Sequence, residues 1–177
     1  DASIRALREE IESRGVRVES VFTAHRELGG FFINDDNYQQ TAHRCFQRLI
    51  EVGALLGARS VGSNPGAVLR DAMDQKPDGT ARYLACMKEL MHFARQRGVQ
   101  WLTIEPMSCL AEPPTLPEEI RAMGRELEDY HRQHPDTTAR VGFCFDISHG
   151  YADGDGRTQH DPLELLEAAI PWLYEIH

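Results

Sequence analysis

The chain lacks an excess of positive charge. Its 177 residues include 19 Lys and Arg against 28 Asp and Glu, which gives a formal net charge of −9 at pH 7. Proteins that bind nucleic acids or anionic membranes are expected to carry a basic stripe, so this balance argues against both kinds of partner. It is still compatible with a local basic pocket for a phosphate group.

The sequence also lacks a cysteine pattern that would indicate a metal knuckle or a disulfide framework. It contains no Cys-x-x-Cys motif, and the spacings between its cysteines are wide. The cysteines are Cys45, Cys86, Cys109 and Cys144. A reduced, cytoplasmic protein is the simplest interpretation.

No apolar run approaches the length of a membrane span, and no signal peptide or initiator Met opens the chain. Hydrophobic residues make up 41% of the sequence, which is ordinary for a soluble globular protein. A chain of this length can bury one sizeable core, so we expect a single domain over residues 1–177. Asp1 opens a helical pattern and His177 closes a strand pattern, so both ends look cut.

Five apolar, β-branched runs alternate with helical patterns along the chain. They begin near Val16, Arg59, Val99, Arg140 and Trp172. This alternation predicts a parallel sheet with helical crossovers. The loops after the strands are longer than the loops before them, as in a (β/α)8 TIM barrel, whose active site is built from the loops after the strands. With five strands visible, the sequence predicts an incomplete α/β barrel.

Helix boundaries can be read from Gly, Pro and Asp. The first three apolar stripes stop at Gly15, Gly57 and Gly98, where Gly suits a helix end. The fourth helix is predicted to begin at Pro117, because Pro is favoured in a first turn. Asp161 is predicted to cap the fifth helix.

Metal-ligand-type side chains lie at the ends of three predicted strands. Glu105 follows Trp-Leu-Thr-Ile, Asp146 and His149 follow Phe-Cys-Phe, and His177 ends Leu-Tyr-Glu-Ile. Parallel strands end at one rim, so residues from different strands can converge there on one ion. The sequence therefore predicts a metal-assisted active site.

Each of these residues also has a structural interpretation. Glu105 could form a salt bridge or cap the next loop, and position alone favours neither role. Asp146-x-x-His149 is also the pattern of an Asx-turn with an exposed His. His177 alone would be a frayed, solvated end.

Two further features are predicted to face the same rim. His25 follows the first strand, and we interpret it as a substrate contact and not as a metal ligand. Asn64-Pro65-Gly66 follows the second strand and offers amides to an anion, although such a turn is usually only a turn. Asn64 is accordingly a candidate substrate contact.

These motifs, in this order, resemble the xylose isomerase-like TIM-barrel superfamily over essentially the whole chain. That group includes ketose 3-epimerases, hydroxypyruvate isomerase, inosose-handling enzymes and endonuclease IV. The resemblance implies that Glu105, Asp146 and His177 bind one divalent metal ion and that His149 contacts a substrate oxygen. In the epimerase branch a second Glu on the final strand completes the site, and no residue of this chain corresponds to it.

The resemblance implies a sugar or sugar-phosphate isomerase or epimerase that transfers protons through an enediolate. Glu105 would be catalytic, as one of two acid–base groups. Glu112 is the candidate for a second, sugar-contacting Glu, although it lies one residue further along than the family pattern. Mn²⁺ is the favoured ion for such ligands, with Mg²⁺, Co²⁺ or Zn²⁺ as alternatives.

The resemblance also bears on how much of the barrel is present. If His177 ends the penultimate strand, about two strands are missing before Asp1 and one after His177. The stretch Phe-Thr-Ala-His25-Arg is similar to a subgroup that acts on tetrulose phosphates in erythritol-type polyol catabolism. Dimers and tetramers are common in the resembled family, so the resemblance is compatible with a homo-oligomer.

Two rival functions are weighed against the isomerase. An abasic-site DNA endonuclease of the same superfamily shares Glu, Asp-x-x-His and the later His. It needs a His-Pro-Gly turn, and this chain has Asn64-Pro65-Gly66 there. The negative charge argues against it as well. The other rival is a non-catalytic barrel remnant.

Overall fold

One parallel sheet with flanking helices organises the chain. The computed structural model describes residues 1–23 and 30–177, so His25 lies outside the described residues. In chain order the elements are α1 (Ala2–Ser13), β1 (Ser20–Thr23), α2 (Asp36–Leu56), β2 (Ser60–Ser63), α3 (Lys76–Gln96), β3 (Trp101–Ile104), α4 (Pro117–Gln133), β4 (Arg140–Phe145), β5 (Tyr151–Ala152), β6 (Thr158–His160), α5 (Pro162–Ala169) and β7 (Leu173–Ile176), with short 3-10 helices at Met73–Gln75 and Ile170–Trp172.

The main sheet has five strands in the order β1-β2-β3-β4-β7, and every neighbouring pair is parallel. The amino ends of the first four strands are aligned, since Ser20 pairs with Ser60, Ser60 with Trp101, and Trp101 with Arg140. Helices connect successive strands. This is part of a (β/α)8 TIM barrel, and it confirms the predicted fold class.

Local sequence signals set the helix ends. The side chain of Asp35 accepts hydrogen bonds from the first amides of α2, and Gly57 ends that helix with a left-handed φ of 80°. Asp161 accepts a hydrogen bond from the amide of Glu164, and Pro162 occupies the first turn of α5. These are the stabilising contacts expected at unsatisfied helix termini.

The starts of two helices depend on signals that lie outside the apolar stripes. Helix α2 begins at Asp36, directly after the Asp35 cap, and α3 begins at Lys76, directly before Pro77. The predicted loop after β4 contains an antiparallel hairpin of β5 and β6. Among the described residues, no helix combines the length and apolarity needed to cross a bilayer.

The two faces of the sheet have different compositions. Leu102, Ile104, Phe143 and Phe145 are at most 1% exposed and pack in the core between sheet and helices. Successive strand residues point to opposite faces, so the residues between these apolar positions line the concave face of the barrel. That face carries the polar chemistry described below.

Helix α2 contacts the sheet closely at Gly53. A Cβ built on Gly53 would lie 2.3 Å from Cγ2 of Val61, a fully buried residue of β2. Since a β-branched side chain in a strand has restricted rotamers, Val61 cannot easily turn away.

We therefore expect Gly53→Ala to destabilise the protein, although Ala is the better helix former by about 1 kcal/mol. Overpacking costs roughly 1–3 kcal/mol, and a clash this short belongs at the upper end of that range. Urea denaturation should show a net loss of at least about 1 kcal/mol. Gly154→Ala is the control, because a Cβ there meets no atom within 4 Å. Equal or higher stability of Gly53→Ala would contradict the close contact.

Candidate active site

The candidate site lies where β3 and β4 end. Glu105 follows the last residue of β3, Asp146 follows the last residue of β4, and His149 is three residues further on. One ligand atom from each of the three lies within 4.8 Å of the others. His149 Nε2 is 3.8 Å from Asp146 Oδ2, and His149 Nδ1 is 4.0 Å from Glu105 Oε1.

Glu105 is a buried carboxylate held by an amide. It is 6% exposed, and its Oε2 accepts a hydrogen bond from the side-chain nitrogen of Asn64, which is 7% exposed. A carboxylate oxygen only accepts hydrogen bonds, so the amide nitrogen of Asn64 must be the group that faces it. This contact leaves Oε1 of Glu105 directed toward His149.

Burial raises the pKa of Glu105 above its ordinary value, and the nearby charge of Asp146 acts in the same direction. The charges of His149 and His177 and the amide of Asn64 oppose this rise. The net upward shift follows from the cost of placing a charge away from water.

Asp146 is oriented by the residue that lies two positions after it. Its Oδ1 accepts hydrogen bonds from the backbone N–H of Ser148 at 2.8 Å and from the Ser148 hydroxyl at 2.7 Å. These bonds lower the pKa of Asp146. They form the Asx-type turn that the sequence allowed, and they leave Oδ2 turned toward His149.

The ring of His149 has a defined hydrogen-bonding direction. Nδ1 is 2.7 Å from the carbonyl oxygen of Pro106, and a carbonyl can only accept, so Nδ1 carries the hydrogen. In the neutral ring Nε2 then carries a lone pair, and it faces Asp146. Glu105, Asp146 and His149 each place one ligand atom within 4.8 Å of the others, and two carboxylates with an imidazole suit a divalent cation.

The predicted metal ligand His177 lies beside this cluster, but among the described residues the group within 4.8 Å contains His149 in its place. Its backbone N–H donates to the carbonyl of Phe145 at 2.8 Å, and its carbonyl accepts from the N–H of Ile147 at 3.2 Å. His177 therefore flanks Asp146 across the β4–β7 ladder. Its ring packs edge-on against Phe22, with centroids 4.9 Å apart.

The sequence did not indicate a second group of possible ligands, which also involves His177. Ligand atoms of Cys144, Glu175 and His177 lie within 4.8 Å of one another. A signal was present, because Cys144 and Glu175 precede Asp146 and His177 by two positions, and residues two apart on a strand share a face.

The remaining predicted residues are placed as follows. Glu112 is 6% exposed in the loop between β3 and α4, where its backbone N–H donates to the carbonyl of Cys109 at 2.8 Å. Asn64 contacts Glu105 as described above. His25 is outside the described residues.

Comparison with known proteins gives a family and a set of related folds. A family model described as a xylose isomerase-like TIM barrel matches residues 1–177. No curated protein sequence matches the chain significantly. Among solved structures, a protein of Rhodospirillum rubrum provisionally named a xylose isomerase has a TM-score of 0.81 at 17% identity, with 98% of this chain and 58% of that chain covered.

Two other solved structures carry epimerase names. A D-tagatose 3-epimerase-like protein has a TM-score of 0.74 at 18% identity, covering 98% of this chain and 60% of that one. D-psicose 3-epimerase from Clostridium cellulolyticum H10 has a TM-score of 0.74 at 13% identity, covering 98% and 56%. At these identities the likeness shows the fold alone. The chain spans less than two thirds of the length of each structure.

The raised pKa of Glu105 makes stability depend on pH. The folded state binds this proton more tightly than the unfolded chain, so its contribution to stability is lost as the pH rises through the folded-state pKa. Gln is neutral at every pH, so Glu105→Gln should be more stable than the wild type at neutral pH. That advantage should shrink on acidification, as measured by urea denaturation with a chelator present.

Asp146→Asn is the matched control with the opposite sign. The folded-state pKa of Asp146 is lowered, so its carboxylate stabilises the fold above the unfolded-state pKa and ceases to do so as the pH falls. Weakening its two hydrogen bonds should cost on the order of 1 kcal/mol at neutral pH and little in acid. If the stability differences between these variants and the wild type do not change with pH, the pKa shifts assigned to Glu105 and Asp146 are both wrong.

Proposed function

The chain belongs to the xylose isomerase-like TIM-barrel family, and we propose that its protein is a divalent-metal-dependent isomerase or epimerase of sugars or sugar phosphates. The substrate class is proposed from the family and from the ketose 3-epimerase names of similar structures. Epimerisation and aldose–ketose isomerisation pass through the same enediolate, so the proposal covers both.

One observation supports the proposal most directly. Each carboxylate has one oxygen held by a hydrogen-bond donor and the other oxygen facing the ring of His149. Asn64 holds Oε2 of Glu105, and Ser148 holds Oδ1 of Asp146. Such prior orientation is what a metal or substrate site needs, because ligands already in place lose less freedom on binding.

We assign Glu105, Asp146 and His177 as the residues that would hold the ion, with Mn²⁺ favoured and Mg²⁺, Co²⁺ or Zn²⁺ as alternatives. The donor set of carboxylates and imidazole fits such an ion. When bound, the ion would supply positive charge to stabilise the enediolate. His177 qualifies as a ligand because it flanks Asp146 in the sheet.

Glu105 is assigned as one of two acid–base groups. It would take the proton from the carbon beside the substrate carbonyl, while the electron pair of the C–H bond moves to form the enediolate. A second carboxylate, the last-strand Glu expected from the family resemblance, would return a proton on the opposite face.

The remaining site residues are assigned to substrate binding. His149 Nε2 is directed into the cluster and would contact a substrate oxygen, while Pro106 keeps the ring in place. Glu112, Asn64 and His25 are proposed as further substrate contacts. Asn64 retains its carbonyl oxygen for this purpose, since only its nitrogen binds Glu105.

The experiment is proton exchange at the substrate carbon. The full-length protein, loaded with Mn²⁺ in D₂O, is incubated with a panel of ketoses and a tetrulose phosphate, and deuterium incorporation is followed by NMR. We expect exchange that requires the metal. Glu105→Gln should reduce the exchange rate by about 10²-fold or more, because it removes a proton-transfer group.

The matched control is Glu118→Gln, which changes an exposed carboxylate in the first turn of α4 and should leave exchange unaffected. Undiminished exchange in Glu105→Gln would remove Glu105 from proton transfer. Cleavage of abasic DNA without sugar exchange would favour the nuclease. Neither activity, with no metal bound, would indicate a non-catalytic remnant.

A further inference from the structure

A second layer of side chains lies below the candidate metal ligands on the concave face of the sheet. Glu105, Asp146 and His177 form the upper layer. The residue two positions earlier on each strand faces the same way, because side chains alternate along a strand. These residues form the lower layer: Thr103, Cys144 and Glu175.

The lower layer is centred on the carboxylate of Glu175. Its Oε1 accepts hydrogen bonds from the hydroxyls of Ser20 and Thr103, each at 3.2 Å. Burial and the nearby charge of Glu175 raise the pKa of the Cys144 thiol, so the thiol carries its proton until an ion displaces it. Cys144 and Glu175 are direct partners in the β4–β7 ladder, so the backbone holds their side chains next to each other.

The ring of His177 completes the set. A sulfur of Cys144, a carboxylate oxygen of Glu175 and a ring nitrogen of His177 lie within 4.8 Å of one another. Phe22 packs edge-on against the His177 ring and restricts its orientation. A thiolate, an imidazole and a carboxylate are the ligand types found together around Zn²⁺ in proteins.

We propose that Cys144, Glu175 and His177 form a second metal site, selective for thiophilic divalent ions such as Zn²⁺ and Cd²⁺. On binding, the S–H bond of Cys144 breaks, a sulfur–metal bond forms, and the proton leaves to solvent.

The lower layer differs from the upper layer in the softness of its ligands. The upper layer offers two carboxylates and an imidazole, a set that hard ions such as Mn²⁺ and Mg²⁺ accept. The lower layer replaces one carboxylate by sulfur, which hard ions bind poorly and Zn²⁺ and Cd²⁺ bind well. The hydroxyls of Ser20 and Thr103 orient Glu175, in the way that neighbouring hydrogen bonds orient metal ligands elsewhere.

The two sites share His177. A thiophilic ion in the lower layer would therefore compete for a ligand of the upper ion and inhibit the enzyme. This consequence rests on the proposed function, but the binding of the ion does not. If the two ions compete for His177, Zn²⁺ should inhibit the enzyme, and Cys144→Ser should relieve that inhibition.

The test uses Cd²⁺ and the ultraviolet charge-transfer absorption of a cadmium–thiolate bond. The full-length protein is stripped of metal and titrated with Cd²⁺. The other cysteines of the chain are first changed to Ser in one background variant: Cys45, Cys86 and Cys109. We expect this background variant to keep a saturable charge-transfer band with one ion per chain.

Two further variants decide the assignment. Cys144→Ser in the same background should abolish the band, and Glu175→Gln should weaken Cd²⁺ binding by tenfold or more while the band remains. A background variant without the band, or a band that persists in Cys144→Ser, would overturn the proposal. Circular dichroism of each variant verifies that it folds. Because the readout needs no activity, its failure is distinct from a failure of sugar exchange.

Discussion

The parallel pairing of β3, β4 and β7 is the constraint on which the candidate site depends. Because all three strands run in one direction, the residues that follow them meet at one rim. The two backbone hydrogen bonds of His177, to Phe145 and from Ile147, fix its position beside Asp146. A one-residue slip of β7 would turn its side chains to the opposite face of the sheet and separate His177 from Asp146.

The same pairing places a carboxylate where burial is costly. Glu105 is buried beside another carboxylate, and both effects penalise its charge. The amide of Asn64, at the end of the neighbouring strand β2, offsets part of that penalty and fixes the direction of the carboxylate. The raised pKa of Glu105 and the fixed orientation of its carboxylate thus have one origin, which is the close packing of adjacent strand ends.

Sequence patterns predicted the fold because alternating apolar runs and Gly, Pro and Asp signals are local. The β5–β6 hairpin was not predicted, because local bonds to the Asp153 side chain from the amides of Asp155 and Arg157 support it, without an apolar run. The contact of Asn64 with Glu105 joins residues 41 positions apart. The spacing of two residues could have indicated that Cys144 and Glu175 share a face with Asp146 and His177, but the contacts of Glu175 with Ser20 and Thr103 join separate strands and appear only in the three-dimensional register.

The concave face of the sheet carries polar side chains, in contrast to its apolar, helix-facing side. In most barrels of this type, branched apolar side chains fill the interior in layers. Here Ser20, Thr103 and Glu175 form hydrogen bonds there, and Gly62 leaves room for Thr103, since a Cβ on Gly62 would lie 2.0 Å from the Thr103 hydroxyl. The apolar burial that stabilises the sheet is concentrated on its helix-facing side. The polar residues of the concave face therefore contribute little to the apolar core that stabilises the sheet.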